Sequence, residues 1–384
     1  MNPRKIVICL PNLNVFGGTE LQTLLLSQIL AENQFHPIVC CYFLCSEKVV
    51  STFEASNIEV ISLNLSKINP LYFIKKLAMF LNKINPEVVH VQYVAPGLLP
   101  IIATKLSGVK GLYSTVHQPC PAKGLKPKIL LHLGAFFCDA FFCVSKATEE
   151  SWFGDSKIFR PSTSQKGRKH YTIYNAVNVE CISGQFDISR NQHIKNSLNL
   201  CDKPVVGVVA RLRREKGHIL LLDAMVSVIC EIPDVVLLVV GDGPDRNQLI
   251  SKSHSLGIGN HVCWLGEIEP SEVYELYGIM DVVAIPSLFE GFGLSAAEAM
   301  AAGLPVVASD VGGLREVIDD GMSGFLIQPS NTEAFADALT RLLSDPKRAR
   351  AMGQNGKKRV SRYFSEQKFA ESMLSVYTNF SRRE

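Results

Sequence analysis

The sequence has 384 residues, which is enough for two domains of ordinary size. Hydrophobic residues make up 47% and charged residues 20%, a globular composition that excludes a disordered, collagen-like or coiled-coil chain. The formal net charge of +3 hides an asymmetry, because residues 1–178 carry 18 basic and 10 acidic side chains, whereas residues 179–384 carry 21 and 26. A basic first half favours an anionic partner, although a chance bias of surface composition explains it equally well.

Eleven cysteines are scattered along the chain without a CxxC pair, which argues against a structural metal or a disulfide framework. The first apolar run, 6–10, is too short for a secretory signal. The longest apolar stretch, 129–144, contains His132 and Asp139 and is too short to span a bilayer. We therefore expect a cytoplasmic protein whose membrane contact, if it has one, is peripheral, on the inner face of the membrane.

In the first half of the chain, short runs rich in Val, Ile and Phe alternate with longer amphipathic segments. This alternation is typical of a parallel sheet built from βαβ units. The predicted strands are 6–10, 38–43, 60–63, 88–92, 112–116, 141–144 and 172–174, with helices that include 20–32, 71–82 and 98–106. The alternation fades over 179–203, which is predicted to be a linker. Residues 1–178 are therefore predicted to form a first doubly wound domain.

A second alternation occupies 204–364, with predicted strands at 205–210, 235–240, 261–265, 282–285 and 306–308. The tail, 365–384, is predicted to be an amphipathic helix, and the surface of the first domain is one candidate for its packing partner. In open α/β sheets, ligands bind beyond the carboxyl ends of the strands. We expect the two doubly wound domains to face each other across a cleft that contains the functional site.

The most informative stretch follows the predicted strand 282–285. Gly291, Phe292 and Gly293 form a turn that leads into an Ala-rich helix, and the first N–H groups of such a helix suit a pyrophosphate. Glu290 precedes the turn and Glu298 lies in the helix, so the two carboxylates could accept hydrogen bonds from two hydroxyl-bearing parts of one ligand. The spacing alone is equally compatible with two ordinary surface glutamates near a helix N-terminus.

This stretch closely resembles the E-x7-E signature of the retaining glycosyltransferases with the GT-B fold, often called glycosyltransferase group one (family four). The family pattern continues without a gap through residues 304–316. The resemblance implies two Rossmann-like domains, a UDP- or GDP-sugar as donor, and transfer to a hydroxyl with retention of the anomeric configuration. It also implies that Glu290 binds hydroxyls of the sugar, that Glu298 binds the ribose, and that the intervening Gly291, Phe292, Gly293 and Leu294 lie against the donor.

Two further segments of the second half resemble family motifs in the expected order. Residues 210–217 resemble the segment in which an Arg and a Lys hold the donor phosphates, and these roles pass to Arg211 and Lys216. A guanidinium and an ammonium can neutralise a pyrophosphate leaving group without a metal, and no D-x-D pattern follows a predicted strand, so we expect neither metal nor cofactor. Gly241 begins a GxG turn near the expected nucleotide, which a plain structural turn explains equally well.

In the first half, Gly17 and Gly18 follow the first strand and resemble the family loop that approaches the donor phosphates. Glu20, two residues on, is either a ligand or a helix N-terminal charge. A G-x-G-x-x-G fingerprint is absent, which argues against a dehydrogenase. His117 ends a predicted strand where the family commonly places a histidine close to the transferred sugar, although a lone histidine is more often structural.

The basic excess of the first half falls at Lys75, Lys76, Lys123, Lys126, Lys128, Lys166, Arg168 and Lys169. Interleaved with apolar residues, these side chains fit an anionic membrane surface and a lipid-linked or saccharide acceptor, as in the synthesis of a surface polysaccharide or lipopolysaccharide. An ordinary solvated face is an equal alternative, and nothing resembles a nucleic-acid module. Two other functions stay open on the same frame: a non-catalytic nucleotide-sugar scaffold, and a nucleotide-sugar hydrolase or epimerase.

Overall fold

The computed structural model describes residues 3–65, 69–93, 97–121, 125–161, 167–184 and 187–379. The chain forms two compact units. The first unit combines Met1–Asn175 with the segment that begins at Gln367, and the second unit is Ala176–Glu366. The chain therefore passes from one unit to the other twice. Compared with the predicted domains, the boundary lies at 175 rather than 178, and the last helix is part of the first unit.

The first unit contains, within the described residues, one sheet of seven parallel strands in the order β3-β2-β1-β4-β5-β6-β7. The strands are β1 (Arg4–Leu10), β2 (Phe35–Cys41), β3 (Glu59–Ser62), β4 (Val88–Tyr93), β5 (Gly111–Val116), β6 (Ala140–Cys143) and β7 (His170–Thr172). The helices are α1 (Gly18–Glu32), α2 (Glu47–Ala55), α3 (Pro70–Ile84), α4 (Leu98–Leu106), α5 (Leu125–Phe137), α6 (Lys146–Phe153) and the final α16 (Glu366–Asn379).

The central strand β1 explains why this sheet is covered on both sides. Residues 6–10 of β1 are all buried apolar side chains, as expected of a parallel strand with helices on both faces. Ile8 lies opposite Val39 of β2 and opposite His90 of β4, so the order of the sheet reverses at β1 and β4. His90 is therefore a polar side chain in the middle of an apolar sheet.

The second unit contains six parallel strands in the described residues, in the order β10-β9-β8-β11-β12-β13. The strands are β8 (Val205–Val209), β9 (Val236–Val240), β10 (Val262–Gly266), β11 (Val282–Ile285), β12 (Val306–Ser309) and β13 (Gly324–Ile327). The helices are α7 (Val179–Gly184), α8 (Ile188–Ser197), α9 (His218–Glu231), α10 (Arg246–Ser255), α11 (Pro270–Tyr277), α12 (Leu294–Ala301), α13 (Leu314–Val317), α14 (Thr332–Ser344) and α15 (Pro346–Tyr363).

Helix α12 is held in place from behind by α15. Gly353 of α15 lies against the main chain at the end of α12, where a Cβ atom at position 353 would be 1.8 Å from the carbonyl oxygen of Gly303. Five of the eight residues of α12 have buried alanine or methionine side chains, which lets the helix pack closely against the sheet. Helix α12, which follows β11 in the chain, is therefore packed closely between α15 and the sheet.

Every strand predicted in the two halves has a counterpart, although β7 lies two residues before the predicted 172–174. Two further features differ from the prediction. The segment 179–203 was expected to be a linker, and it instead contains α7 and α8. Strand β13 was not predicted, because it is a four-residue edge strand that begins with Gly324. All eleven cysteines are free thiols.

Candidate functional site

The second sheet reverses its order between β8 and β11, which lie side by side. Loops that leave such a switch point in opposite directions open a crevice at the carboxyl ends of the strands, where α/β proteins bind ligands. The loop after β8 carries Arg211 and Lys216, and the loop after β11 carries Glu290. Three of the predicted donor-binding residues therefore start from the centre of one sheet.

Main-chain contacts join these two loops. The N–H group of Leu288 donates to the carbonyl oxygen of Glu215 at 2.8 Å. Gly217 has a φ of +69°, and a Cβ atom there would be 1.9 Å from the carbonyl oxygen of Pro286. Only glycine fits this position, because a side chain would both strain the backbone and push the loops apart. The close contact places the adjacent Lys216 beside the loop of Glu290.

Lys216 and Glu290 form an ion pair in the second unit. The Nζ atom of Lys216 donates to Oε2 of Glu290 at 2.7 Å, and the hydroxyl of Ser287 donates to the same oxygen at 3.2 Å. Both charged side chains are mostly shielded from solvent, which strengthens a charge-assisted hydrogen bond. Arg211 lies partly buried directly after β8 in the same loop as Lys216, whereas Arg213 and Arg214 are exposed.

A third loop, between β12 and α13, supports the main chain of Glu290 from the other side. The N–H group of Gly313 donates to the carbonyl oxygen of Glu290 at 3.2 Å. A Cβ atom at Gly312 would be 2.0 Å from that same carbonyl oxygen, and one at Gly313 would be 2.4 Å from the carbonyl oxygen of Gly291. These close approaches explain the paired glycines and hold Glu290 in position.

The turn after Glu290 leads directly into α12. Gly293 precedes the first helical residue, Leu294, with a φ of +100° that disfavours any other residue. The first N–H groups of a helix have no acceptor within it, and the positive end of its dipole attracts anions. The ring of Phe292 is buried and packs edge-on against Phe364 at 5.4 Å, so Phe292 can offer a ligand its main chain but not its ring.

Glu298, one turn further along α12, is almost completely buried. Burial raises the pKa of Glu298 to about 7, although the hydroxyl of Tyr277, which donates to Oε2 at 3.1 Å, acts in the opposite direction. Additional hydrogen-bond donors beside this carboxyl group would stabilise its charged form and lower its pKa. Tyr277 has no sequence signal that connects it with Glu298, because the two side chains meet only in the folded unit.

Gly241 supports the loop of Arg211 by close packing. It has a φ of +129°, a Cβ atom there would be 2.1 Å from the carbonyl oxygen of Ala210, and its N–H group donates to the carbonyl oxygen of Gly266 at 2.7 Å. These contacts are those of a structural turn between β8, β9 and β10. A contact between Gly241 and a donor stays a prediction.

In the first unit, Gly17 and Gly18 lie where β1 leads into α1. Gly17 is the N-cap of α1, and its N–H group donates to a carboxylate oxygen of Glu20 at 3.0 Å. Glu20 therefore caps its own helix, which favours the helix-charge interpretation of this residue over a ligand role. The helix starts next to the carboxyl end of β1, at the switch point of the first sheet.

His117 lies directly after β5 and is held by Gln92 at the end of β4. Its Nε2 atom is 2.6 Å from the amide oxygen of Gln92, so Nε2 carries the proton and Nδ1 carries the lone pair. Burial lowers the pKa of His117 to about 4, and the ring is therefore neutral at neutral pH. Gln92 was not among the predicted residues, although a polar side chain at the carboxyl end of an apolar strand is the same signal that identified His117.

Behind His117, the polar network continues to the last helix. The two ring nitrogens of His90 lie 2.6 Å from the hydroxyl of Tyr377 and 2.7 Å from that of Thr115. A cavity of about 20 Å³, large enough for one water molecule, is lined by His90, Thr115 and His117, and by Phe369 and Met373 of α16. Helix α16 thus covers one side of the cavity beside His117.

The predicted basic residues of the first unit have different environments. Lys123 and Lys166 lie outside the described residues. Arg168 donates to Glu149 at 2.8 Å and to Asp155 at 2.7 Å, and its charge is compensated inside the unit, so it does not belong to a free basic surface. Glu149, Asp155 and His170 are close enough to hold a metal ion, but the guanidinium already supplies a positive charge there.

None of the helices in the described part of the chain combines the length and the apolar character that a membrane crossing requires.

Two family models match consecutive parts of the chain. The model described as Glycosyltransferase Family 4 matches residues 16–180, and the model described as Glycosyl transferases group 1 matches residues 189–359. The chain is 38% identical over 180 residues to the D-inositol 3-phosphate glycosyltransferase of Corynebacterium urealyticum, a match that covers 45% of this chain and 42% of the relative. It is 28% identical over 312 residues to the putative glycosyltransferase EpsD of Bacillus subtilis, with 80% of each chain covered.

The chain spans about half the length of several curated relatives that it matches, the Corynebacterium protein among them. Among solved structures, HepE of Anabaena in complex with UDP and glucose superimposes with a TM-score of 0.85 at 20% identity, covering 98% of this chain and 100% of that one. A glycosyltransferase of Rickettsia africae superimposes with a TM-score of 0.82 at 22% identity over the whole of both chains. These similarities confirm the predicted two-domain GT-B fold.

Proposed function

The chain belongs to the group 1 (family 4) type of glycosyltransferases, and on that premise we propose that it transfers a sugar from a UDP- or GDP-sugar to a hydroxyl group with retention of the anomeric configuration. The observation that carries this proposal is the Lys216 and Glu290 ion pair at the switch point of the second sheet. The pair joins a cation to a carboxylate in the loop that leads into α12, and this arrangement supports a site for a diphosphate and a sugar.

In the proposed donor complex, the diphosphate lies between Arg211, Lys216 and the first N–H groups of α12. Lys216 has three donors, so it can bind a phosphate oxygen while it keeps its contact with Glu290. The other oxygen of Glu290 accepts a hydrogen bond from a sugar hydroxyl, and Glu298 accepts one from the ribose. The buried Glu298 supports this role, because hydroxyl donors would stabilise its charged form.

As the glycosidic bond breaks, negative charge develops on the departing diphosphate. Arg211, Lys216 and the helix dipole are fixed in advance near that charge, and such preorganised groups act without reorganisation in the transition state. We propose that they suffice without a metal ion. No enzymic nucleophile is assigned. The acceptor hydroxyl attacks on the face from which the diphosphate leaves, and its proton passes to an oxygen of that departing diphosphate. His117 accepts a hydrogen bond from the sugar through Nδ1.

A saccharide or a lipid-linked molecule is the proposed acceptor, and the synthesis of cell-surface polysaccharide is the proposed setting. The basic first half of the sequence supports an acceptor with anionic groups. The solved relative with bound UDP and glucose makes a UDP-sugar the first donor to test.

The proposal is tested by titration calorimetry of UDP, GDP and their common sugar conjugates in the presence of a chelator. We expect one nucleotide to bind selectively, and Arg211→Ala to weaken it roughly 10- to 100-fold, the effect of losing hydrogen bonds to a charged group. Arg213→Ala is the matched control, because Arg213 is exposed two residues away and lies outside the proposed site. Failure of every nucleotide to bind at millimolar concentration would overturn the donor site.

Retention is tested by the anomeric configuration of the newly formed glycosidic bond, determined by NMR of the purified product. Transfer to an acceptor with the configuration of the donor supports the proposal. Release of free sugar without any acceptor requirement identifies a hydrolase, and stable binding without turnover identifies a nucleotide-sugar scaffold.

A further inference from the structure

Helix α5 of the first unit presents a row of large apolar side chains to solvent. Leu125, Ile129, Leu133 and Phe136 are 77%, 57%, 45% and 69% exposed. Their spacing of three and four residues places them on one side of the helix. Scattered exposed apolar residues are normal on a protein surface, but a continuous row along a whole helix marks an interaction site. We call these four residues the outer row.

The orientation of α5 is fixed by the close packing of its inner side. Leu131, Gly134 and Ala135 are buried, and a Cβ atom at Gly134 would be 2.9 Å from the side chain of Ile101 in α4. The helix therefore packs against α4 through its small residues. It cannot rotate to bury the outer row without breaking this contact, so the exposure of the row is a property of the folded unit.

The surroundings of the outer row are positively charged. Between Glu59 and Asp139 the sequence contains nine lysines and one acidic residue, Glu87, which is paired with Arg4. Helices α3, α4 and α5 pack side by side in one layer and carry six lysines but no acidic side chain. Lys105 of α4 is within 3.9 Å of Asp139, which compensates one of the six.

Three lysines lie next to the outer row itself. Lys126 is exposed in the first turn of α5, and Lys128 lies between Leu125 and Ile129 on the same helix. Lys169 reaches the other end, where its Nζ atom donates to the carbonyl oxygen of Phe136 at 2.8 Å and lies 5.4 Å from the centre of the Phe136 ring. Long cationic side chains that flank an apolar row can keep their charged ends in the headgroup region while the row is buried.

We propose that the outer row inserts into the surface of a bilayer that contains anionic phospholipids, with the lysines of α3, α4 and α5 bound to the headgroups. An in-plane helix of 13 residues is about 20 Å long and buries its apolar side at the boundary between headgroups and acyl chains. Each lysine near an anionic surface adds attraction that weakens with salt.

A bilayer fits this surface better than a second copy of the chain. Two copies joined through their outer rows would bring two lysine-rich layers together without acidic groups between them. A bilayer surface instead offers both an apolar phase for the row and negative charge for the lysines. The inference goes beyond the transfer reaction and does not rest on it, because the outer row contains none of the residues assigned to the donor site.

Flotation of the full chain with vesicles tests the inference. We expect binding to vesicles of phosphatidylcholine with one quarter phosphatidylglycerol, little binding to pure phosphatidylcholine, and release by 0.5 M salt. The double variant Ile129→Gln and Phe136→Gln should bind at least about tenfold more weakly, because two apolar side chains no longer enter the bilayer. The matched control is Ile188→Gln with Met322→Gln, which changes two apolar residues of the second unit that are 89% and 57% exposed.

A second variant, Lys126→Gln with Lys128→Gln, should reduce binding to anionic vesicles and flatten the salt dependence. Circular dichroism and thermal melting verify that each variant is folded, and calorimetry with nucleotide in the absence of vesicles should give unchanged affinity. Binding of the apolar double variant at wild-type strength would overturn the inference. Sedimentation velocity offers a second way to overturn the inference. If the wild type is a dimer and the Ile129→Gln and Phe136→Gln variant is a monomer, the outer row binds a second copy of the chain.

Discussion

At the scale of single residues, Glu298 gives the second unit a measurable pH dependence. The pKa of Glu298 is about 7 in the folded protein, above the ordinary value for glutamate. At pH values between these two pKa values, Glu298 keeps a proton in the folded state that it has lost in the unfolded state. Stability therefore falls as the pH rises through this range. Glu298→Gln removes the titration, and we expect the variant to gain stability relative to wild type by up to about 3 kcal/mol between pH 5 and pH 8.

Urea unfolding at the two pH values measures this gain. Glu231→Gln, which changes an exposed glutamate of the same unit, should show no such gain. Equal pH dependence in wild type and Glu298→Gln would mean that the carboxyl group is ionised in the folded state at pH 5.

The contact between Gln92 and His117 predicts a pH effect on catalysis. Gln92→Glu would place a carboxylate 2.6 Å from Nε2 of His117, and a neighbouring negative charge favours the imidazolium form. We expect the pKa of His117 to rise from about 4 toward the physiological range, and the transfer rate of the variant to fall at acidic pH, where wild type stays active. NMR titration of the His117 ring and a pH profile of the rate measure the two effects.

Gln92→Leu serves as the comparison, because it breaks the same hydrogen bond without adding a charge. Its pH profile should keep the wild-type shape at a lower rate. A His117 resonance that titrates identically in wild type and Gln92→Glu would contradict the assigned contact.

At the scale of structural elements, the close contact between the loops after β8 and β11 depends on Gly217. Gly217→Ala should cost more than Gly257→Ala, although both glycines have a positive φ, +69° and +75°. The backbone cost of about 1–2 kcal/mol is common to both, but only at Gly217 would the new methyl group meet a carbonyl oxygen, whereas nothing lies within 4 Å of a Cβ atom at Gly257. Thermal melting should separate the two variants, and calorimetry should show weaker nucleotide binding only for Gly217→Ala.

The elements that the sequence predicted, and those that it missed, differ in how much apolar surface they bury. The twelve predicted strands are apolar runs, and all of them form. Helix α8 has no buried residue, so it has no apolar periodicity that a sequence pattern could detect, and 179–203 was wrongly expected to be a linker. Helix α16 was predicted from its periodicity, but its packing partner could not be, because the hydrogen bond between His90 and Tyr377 joins residues 287 positions apart.

The residues of the candidate site divide in the same way. Glu290, Lys216 and Arg211 were identified by a family resemblance, and strand order then explains why the loops of Lys216 and Glu290 meet. Tyr277 and Gln92 were missed, since each acts on a site residue through a contact made only in the folded unit. Both are common polar residue types within a regular helix or strand, and neither belongs to a recognisable sequence motif.

At the scale of the whole molecule, the two units should unfold as separate transitions. Tyr377→Phe removes the hydroxyl that lies 2.6 Å from a buried nitrogen of His90, and loss of such a partner costs about 1–3 kcal/mol. We expect scanning calorimetry of Tyr377→Phe to show a lower melting temperature for the first unit and an unchanged one for the second. Added UDP should raise the melting temperature of the second unit only. Tyr363→Phe, a change of a half-exposed tyrosine in α15, is the control. A shift of both transitions by Tyr377→Phe would show that the units do not unfold independently.

The placement of α16 also determines the order in which the units can be completed during synthesis on the ribosome. Residues 176–366 are contiguous, so the second unit has all of its chain as soon as Glu366 has emerged. The first unit is translated earlier, but the buried side chains of Phe369, Met373 and Tyr377 that complete its core arrive last. In the nascent first unit, His90 and its apolar surroundings therefore lack the covering helix α16 while nearly two hundred further residues are added. The first unit is thus the first to be synthesised and the last to complete its core.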